Sequence, residues 1–491
     1  MAPLQFPGAA GGARRLMFVP QRVALYWLRR DFRLADNPAL HSARAAATTI
    51  YAVYCSAEQD ALNVRQRSFV NAGLRALRQN LDRLDASLTI IDGPPAAGLA
   101  STAMRLGATD VHCSRSFNAT ERAVETGVAQ QLHPHSIALH CEDGGLVHDP
   151  AAIAQHKQGP GEGYRIFPPF YEVWRTLRVP RPLPASAPNG RDPQPGSIPD
   201  APPGAGAPEA TESAANETLA RFVAGRAADY AANAEFPGRA ATSLLAPYLR
   251  FGLISPRTVY HALAERLVRS WTLAEERIAI EAFIRRLALR DFFMHLAYYA
   301  PHMHEEALQE KMRGFSWSDD AGRLQAWRDG KTGYPLVDAA MRQLRLEGHV
   351  HQRAAVCAAS FCACDLGLDW RSGRDVWMAE LLAADEALCD GSWQRIAGIG
   401  SDQAAYPRIY NPLRQAQRFD PQGTYVRRYC TELAKLPTRA VLAPWDLGRQ
   451  QQIELGFFTP QQYPAPLVDH ESAAREFLAK YQHYRNRHSA G

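Results

Sequence analysis

At 491 residues and 46% apolar composition the chain is long enough for two or three domains with sizeable cores. A net charge of +5 is compatible with a polyanionic partner but falls short of a strongly basic nucleic-acid footprint, and no apolar run approaches the roughly eighteen residues of a membrane span. Residues 1–21 are broken by Pro and Gly, which argues against a signal peptide, and the eight scattered cysteines read as reduced, cytoplasmic thiols rather than a disulfide framework.

In chain order, Val23–Leu28, Thr49–Tyr54, Leu88–Ile91, Asp110–His112 and Ile137–His140 read as strands, with helical patterns such as Arg65–Leu84 and Pro95–Leu106 between them. This alternation predicts a doubly wound, Rossmann-like α/β domain with a parallel sheet over residues 22–150. Residues 151–216 form a connector, in which 180–215 is dense in Pro, Ala and Gly and is expected to be a linker or mobile surface loop. From 217 to 491 strand signals vanish and helical periodicity dominates, with Arg277–Tyr299 and Tyr334–Leu346 as long helices. The predicted fold class is α/β followed by an all-α domain. Cys357, Cys362 and Cys364 cluster among apolar residues without a CxxC pair, so they are expected to be core thiols; no metal site is expected.

The first strand runs into Trp27-Leu-Arg-Arg-Asp-Phe-Arg-Leu-Ala-Asp-Asn-Pro-Ala-Leu40, which composition alone reads as a strand, a charged loop and a helix start at Asn37-Pro38. Two further strings are Gly330-Lys-Thr-Gly-Tyr-Pro-Leu-Val-Asp-Ala-Ala-Met-Arg-Gln-Leu344 and Tyr406-Pro-Arg-Ile-Tyr-Asn-Pro412, the latter followed by Arg418-Phe-Asp420. In order and spacing, from about Arg22 to Trp445, these resemble the photolyase/cryptochrome family. The resemblance implies a helical FAD-binding domain, light-driven electron transfer and a DNA partner without membrane association. If the chain is an enzyme, the implied type is a deoxyribodipyrimidine photo-lyase, a carbon–carbon lyase that repairs UV damage. The alternative is a blue-light photoreceptor signalling to a protein partner.

The same resemblance assigns FAD contacts position by position. Thr242, Ser243, Leu244 and Leu245 match the phosphate-binding segment, with Ala246 replacing the usual Ser. Two hydroxyls and backbone N–H groups at a helix start suit a diphosphate. Tyr230 and Arg290 match further phosphate-side contacts, Phe283 an aromatic cofactor contact, and Asp385 a contact to the isoalloxazine edge. Trp393, Trp370 and Trp317 match the family's electron-transfer chain, and Cys389 takes the position that faces flavin N5. A second, antenna chromophore stays open between a pterin and a deazaflavin, since Thr120-Glu121-Arg122 matches the pterin-contacting segment only in part.

Departures from the family concentrate at the flavin and in the lesion pocket. Cys389 stands where photolyases usually carry Asn. Ala383 and Ala355 stand where an Asp–Arg pair is expected, a double loss that avoids leaving one buried charge alone. In the lesion pocket, Leu289 replaces the stacking tryptophan, Arg286 the base-bonding glutamate, Gln352 an asparagine, His349 a second aromatic and Val356 a methionine. Histidines expected of (6-4) photolyases are absent at Gln352 and Val356. His349, His351 and Arg353 together suggest another acid/base or anion site. These substitutions weigh against standard cyclobutane-dimer repair.

Overall fold

The computed structural model describes residues 22–159, 161–199, 207–269, 272–401 and 406–488; the segment read above for a signal peptide lies outside them. Five strands, β1 (Val23–Trp27), β2 (Thr49–Cys55), β3 (Leu88–Ile91), β4 (Asp110–Ser114) and β5 (Ala138–Glu142), form one sheet in the order β3-β2-β1-β4-β5. Every neighbouring pair is parallel. Helices α1 (Pro38–Ala46) and α2 (Val64–Arg83) cover one face; α3 (Pro95–Leu106) and α4 (Ala119–Leu132) cover the other. The alternation of side chains along each strand makes this possible: Ala24 and Tyr26 pack with Leu40 and Leu74, whereas Leu25 and Trp27 pack with Leu99 and Val128. Asn37 caps α1 through Leu40 N, and Asn63 with Gln66 forms a capping box on α2.

The Pro/Ala/Gly-rich segment is not a mobile loop where it is described. Gly190 N donates to Ile50 O at 2.8 Å, and Pro195 O accepts from Ile90 N at 2.7 Å. Asp192 takes Thr89 Oγ1 at 2.9 Å and both guanidinium nitrogens of Arg105 at 2.7 Å. The segment thus serves edge strand β3 as a bonded strap. Its last residues begin the helix Glu212–Arg221, capped by Thr211; residues 200–206 lie outside the described residues.

The second half is helical. Its long members are α5 (Ala274–Tyr299), α6 (Pro335–Glu347), α7 (Gln352–Ser360), α8 (Trp370–Glu380) and α9 (Glu386–Ile396). The two halves are clamped by side chains following β1. Arg33 Nη1 donates to Gly252 O at 2.9 Å. Gly252, at φ +66°, lets the chains approach so closely that a Cβ there would lie 1.9 Å from Arg30 O. Asp36 is buried and accepts from Arg257 at 2.7 and 3.1 Å, from Leu183 N at 3.0 Å and from the Ser255 hydroxyl. Replacing Asp36 by Ala leaves the Arg257 guanidinium buried without its carboxylate. Asp36→Ala is expected to lower stability by about 3–5 kcal/mol, read as a fall in the urea midpoint; an unchanged midpoint would refute the clamp.

Candidate functional site

Strand β1 leads directly into Arg29, Arg30 and Arg33, at the point where strand order reverses between β1 and β4. In doubly wound sheets this crevice is the usual ligand site. Here protein charges occupy it. Arg29 Nη1 lies 2.6 Å from Glu125 and 2.7 Å from Ser116 Oγ. Arg30 crosses to the helical half, pairing with Glu121 and, at 3.1 Å, with Asp385. Arg250 donates to Ala384 O at 2.6 Å and lies 3.5 Å from Asp385. Burial alone would raise the Asp385 carboxyl, but Arg30, Arg250 and Arg290 outweigh it and hold it below the usual carboxylate range. Burial, with Arg30 nearby, pushes Arg250 down to about 10.

Asp385 also caps α9, accepting from Leu388 N at 3.3 Å. Cys389 and Trp393 follow at four-residue intervals, so the cap, the thiol and the indole share one face of the helix. The Cys389 thiol is buried and is pushed up to about 12 by burial, so it keeps its proton at neutral pH. Beside it, Asp390 pairs with Arg374 at 2.9 Å and His304 at 3.0 Å. Where Ala355 and Ala383 leave no ion pair, this neighbouring position supplies a buried one.

Trp393 is wholly buried, and its indole N–H has no hydrogen-bond partner among the described residues. Its ring lies 5.0 Å from Trp377 and 6.0 Å from Trp327. It packs onto α8 at Gly373, where a Cβ would come within 2.3 Å of the ring. Trp370, also buried, begins that helix, and it shares a surface cavity of about 190 Å³ with half-buried Trp317. Trp393 and Trp370 are thus buried, and Trp317 is half-buried at the cavity it shares with Trp370. Trp377, one turn beyond Gly373, was not singled out from the sequence, because a lone Trp reads as core.

Other expected contacts separate. Phe283 packs against Phe222 at 4.6 Å and Tyr230 at 5.1 Å, and Tyr230 hydrogen-bonds Arg286. The Thr242 hydroxyl engages no partner among the described residues; Ser243 Oγ accepts from Leu245 N at 3.3 Å. Leu244 adopts φ +59° and is 52% exposed, while Leu245 is buried. Arg290 does not stand beside these hydroxyls. Its guanidinium donates to Gly145 O at 2.8 Å and to Leu249 O at 3.5 Å, placing it in the charge cluster between the halves. Both Asp385 oxygens likewise have protein partners. Glu121 pairs with Arg30 and Arg122 stacks over Tyr298 at 4.3 Å, so the partial pterin-contact segment is held by the protein itself.

A cavity of about 370 Å³ opens beside α9. Arg286, Leu289, Gln352, Arg353 and Val356 line it as expected, together with Ser392, Arg395 and Ile396 of α9. His349 does not. Gly348, at φ +61°, ends α6 and turns the chain, leaving His349 in the bend before α7, where burial lowers its pKa. Sequence reasoning missed the aromatic lining of Phe293, Tyr406 and Tyr410, and the cation Arg408. Glu235 pairs with Arg286 at 3.2 Å and with Arg353.

Comparison with known proteins decides the family. The "DNA photolyase" family matches residues 24–189, and the "FAD binding domain of DNA photolyase" matches 283–483. The chain belongs to the photolyase/cryptochrome family. Photolyase relatives named deoxyribodipyrimidine photo-lyase include one from Agrobacterium fabrum, 31% identical over 487 residues, covering 93% of this chain and 97% of the relative. Another, from Escherichia coli, is 31% identical over 488 residues, covering 93% and 98%. A class III photolyase structure from Agrobacterium tumefaciens superposes with TM-score 0.86 at 29% identity, covering 96% of this chain and all of that one (100%). A Synechocystis cryptochrome superposes with TM-score 0.83 at 26% identity, covering 94% and 99%.

The chain thus carries this family's FAD-binding domain, and its residues fit the group. The Thr242 hydroxyl without a partner among the described residues, beside the Ser243 hydroxyl on a segment turned at Leu244, suits a diphosphate, and the Trp393 N–H and neutral Cys389 thiol on one helix face suit a polar ring. The Asp385 cluster gives a pH signature. A carboxyl held below its unfolded value contributes stability that is complete above about pH 4 and is lost as pH falls through the folded value. Below about pH 4 the wild type is expected to lose thermal stability more steeply than Asp385→Asn; parallel acid profiles by circular dichroism would contradict the cluster.

Proposed function

We propose that this FAD-dependent photolyase acts on UV-damaged DNA, with the cavity beside α9 receiving the damaged base and Trp317, Trp370 and Trp393 relaying electrons inward from the surface. The observation that carries the reading is the double role of α9. Along it Cys389, Ser392, Trp393 and Ile396 recur at i, i+3, i+4 and i+7 on one stripe, and Ser392 and Ile396, with Arg395 at the edge of that stripe, line the cavity. A single helix therefore borders the cofactor side and the substrate side.

FAD, when bound, supplies light absorption and the electron chemistry. Thr242 and Ser243 would hold its diphosphate, with Tyr230 and Phe283 as an aromatic wall. Cys389 keeps a proton on Sγ throughout the neutral range, offering a weak donor rather than an acid. Arg286, Arg353, Arg395 and Arg408 give the cavity a cationic lining against the single acid Glu235, suited to DNA phosphates and giving strongly salt-dependent binding. Tyr406 and Tyr410 offer stacking surfaces worth about 1–3 kcal/mol per base, on a different element from Leu289. The lesion grip therefore differs from that of a standard cyclobutane-dimer pocket. The eight free cysteines accord with action in the cytoplasm.

One observation favours the photoreceptor alternative: Glu235 already engages Arg286 and Arg353, so the groups at the base-contacting positions are satisfied within the protein. A two-part experiment separates the readings. Purified protein is illuminated with blue light beside Trp393→Phe, and bleaching of the flavin absorbance is followed. Wild type is then given DNA with a defined cyclobutane or (6-4) lesion. Bleaching slowed at least tenfold in Trp393→Phe, with light-dependent restoration of one lesion, is expected. Trp393-dependent bleaching without repair of either lesion would overturn the repair reading in favour of signalling.

A further inference from the structure

Three groups of His, Cys, Asp and Glu lie close enough among the described residues to share one ion: Cys113–Glu125–Cys141, His304–Glu386–Asp390 and Asp110–His112–His140. Two of them have protein cations or donors in place. Glu125 is held by Arg29 at 2.6 Å and by Ser116 N at 2.7 Å. Asp390 receives Arg374 at 2.9 Å, and that guanidinium also contacts His304 at 3.3 Å, so an arginine stands where an ion would. The third group is different.

Asp110 and His112 lie two apart on β4, and His112 is in register with His140 on β5. The period of two along each strand sends all three side chains to the face covered by α1, opposite Cys113 and Cys141. The imidazoles stack with centroids 4.6 Å apart and planes 17° from parallel. His140 Nε2 lies 3.0 Å from Asp110 Oδ1, while Asp110 Oδ2 takes the Thr109 hydroxyl at 2.7 Å. One ligand atom from each of the three residues lies within 4.8 Å of the others. The independent observation is His112 itself. It is 1% exposed, and among the described residues neither Nδ1 nor Nε2 has a hydrogen-bond partner. A buried polar group without a partner is destabilising, and this ring carries two ring nitrogens without one. His140, on the edge strand, is 43% exposed and gives an ion access from solvent.

We propose that Asp110, His112 and His140 bind one borderline divalent transition ion of the Zn²⁺ type, pinning edge strand β5 to β4. Two imidazole nitrogens and one carboxylate oxygen are a usual donor set for such ions, with water completing the shell. Bonds of about 2.0–2.2 Å place tetrahedral ligand atoms about 3.4 Å apart, so side-chain rotation suffices to close the site. The site shares no residue with the substrate cavity or with α9.

The test uses full-length, tag-free, FAD-loaded protein stripped with EDTA and titrated with Zn²⁺ by calorimetry, with thermal unfolding measured alongside. Wild type is expected to show one saturable site and a higher unfolding temperature with Zn²⁺. His140→Gln, at a partly exposed position, and Asp110→Asn are each expected to bind at least tenfold more weakly, to lose the thermal shift, and to keep their flavin absorbance. Absence of a saturable site in wild type would overturn the proposal. So would binding and thermal shift that persist unchanged in both variants, because the ion would then sit on other histidines.

Discussion

Asp385 is a buried carboxylate shared by Arg30 from the α/β half, by Arg250, and by the N terminus of α9. Each partner comes from a different part of the chain, so the group forms only when both domains are folded and docked. Its energetics are those of a buried ion cluster. Assembling it requires desolvating several charges, but removing any one member leaves the rest uncompensated, at about 3–5 kcal/mol. The consequence is positional. The first turn of α9 is fixed by the cap, Cys389 follows one turn later, Trp393 a turn after that, and Ser392, Arg395 and Ile396 of the same helix line the cavity.

The α/β half thereby contributes to a site that lies in the helical half. Arginines leaving β1 fill the crevice at the strand-order reversal, where a ligand would otherwise bind, and use it to hold the start of α9. Asp36 and Gly252 add a second clamp on the same border. On the other side of Cys389, the Asp390–Arg374 pair anchors α9 to α8, whose Gly373 admits the Trp393 ring. The Trp393 indole thus depends on the same helix as the Cys389 thiol.

Much of this was legible in the sequence, and the reasons for the misses are physical. Strands β1 to β5 and α5 followed from period and alternation, which local composition carries directly. The strap at 180–199 was misread because Pro-rich composition reports a lack of apolar surface, not the edge-strand donors that its carbonyls satisfy. Arg286, Leu289, Gln352, Arg353 and Val356, named together from motif order, line one cavity. Arg290 and His349 did not join their expected sites, since side-chain direction depends on packing between elements that spacing does not encode. Arg30 was visible in the opening motif but read only as a charged loop. The Asp110–His112–His140 group was invisible because its outer members are separated by 30 residues and meet only through strand register.

The claim that interdomain charge positions the flavin helix is tested most directly by hydrogen–deuterium exchange of FAD-loaded Arg30→Gln against wild type. Arg30 does not line the cavity, and it acts on the start of α9 through its pair with Asp385 and through the charge of Glu386. The account predicts faster exchange across residues 386–396 with a lowered flavin-to-protein ratio, while strands β1 to β5 keep their protection. Unchanged exchange in 386–396 at full flavin occupancy would contradict it.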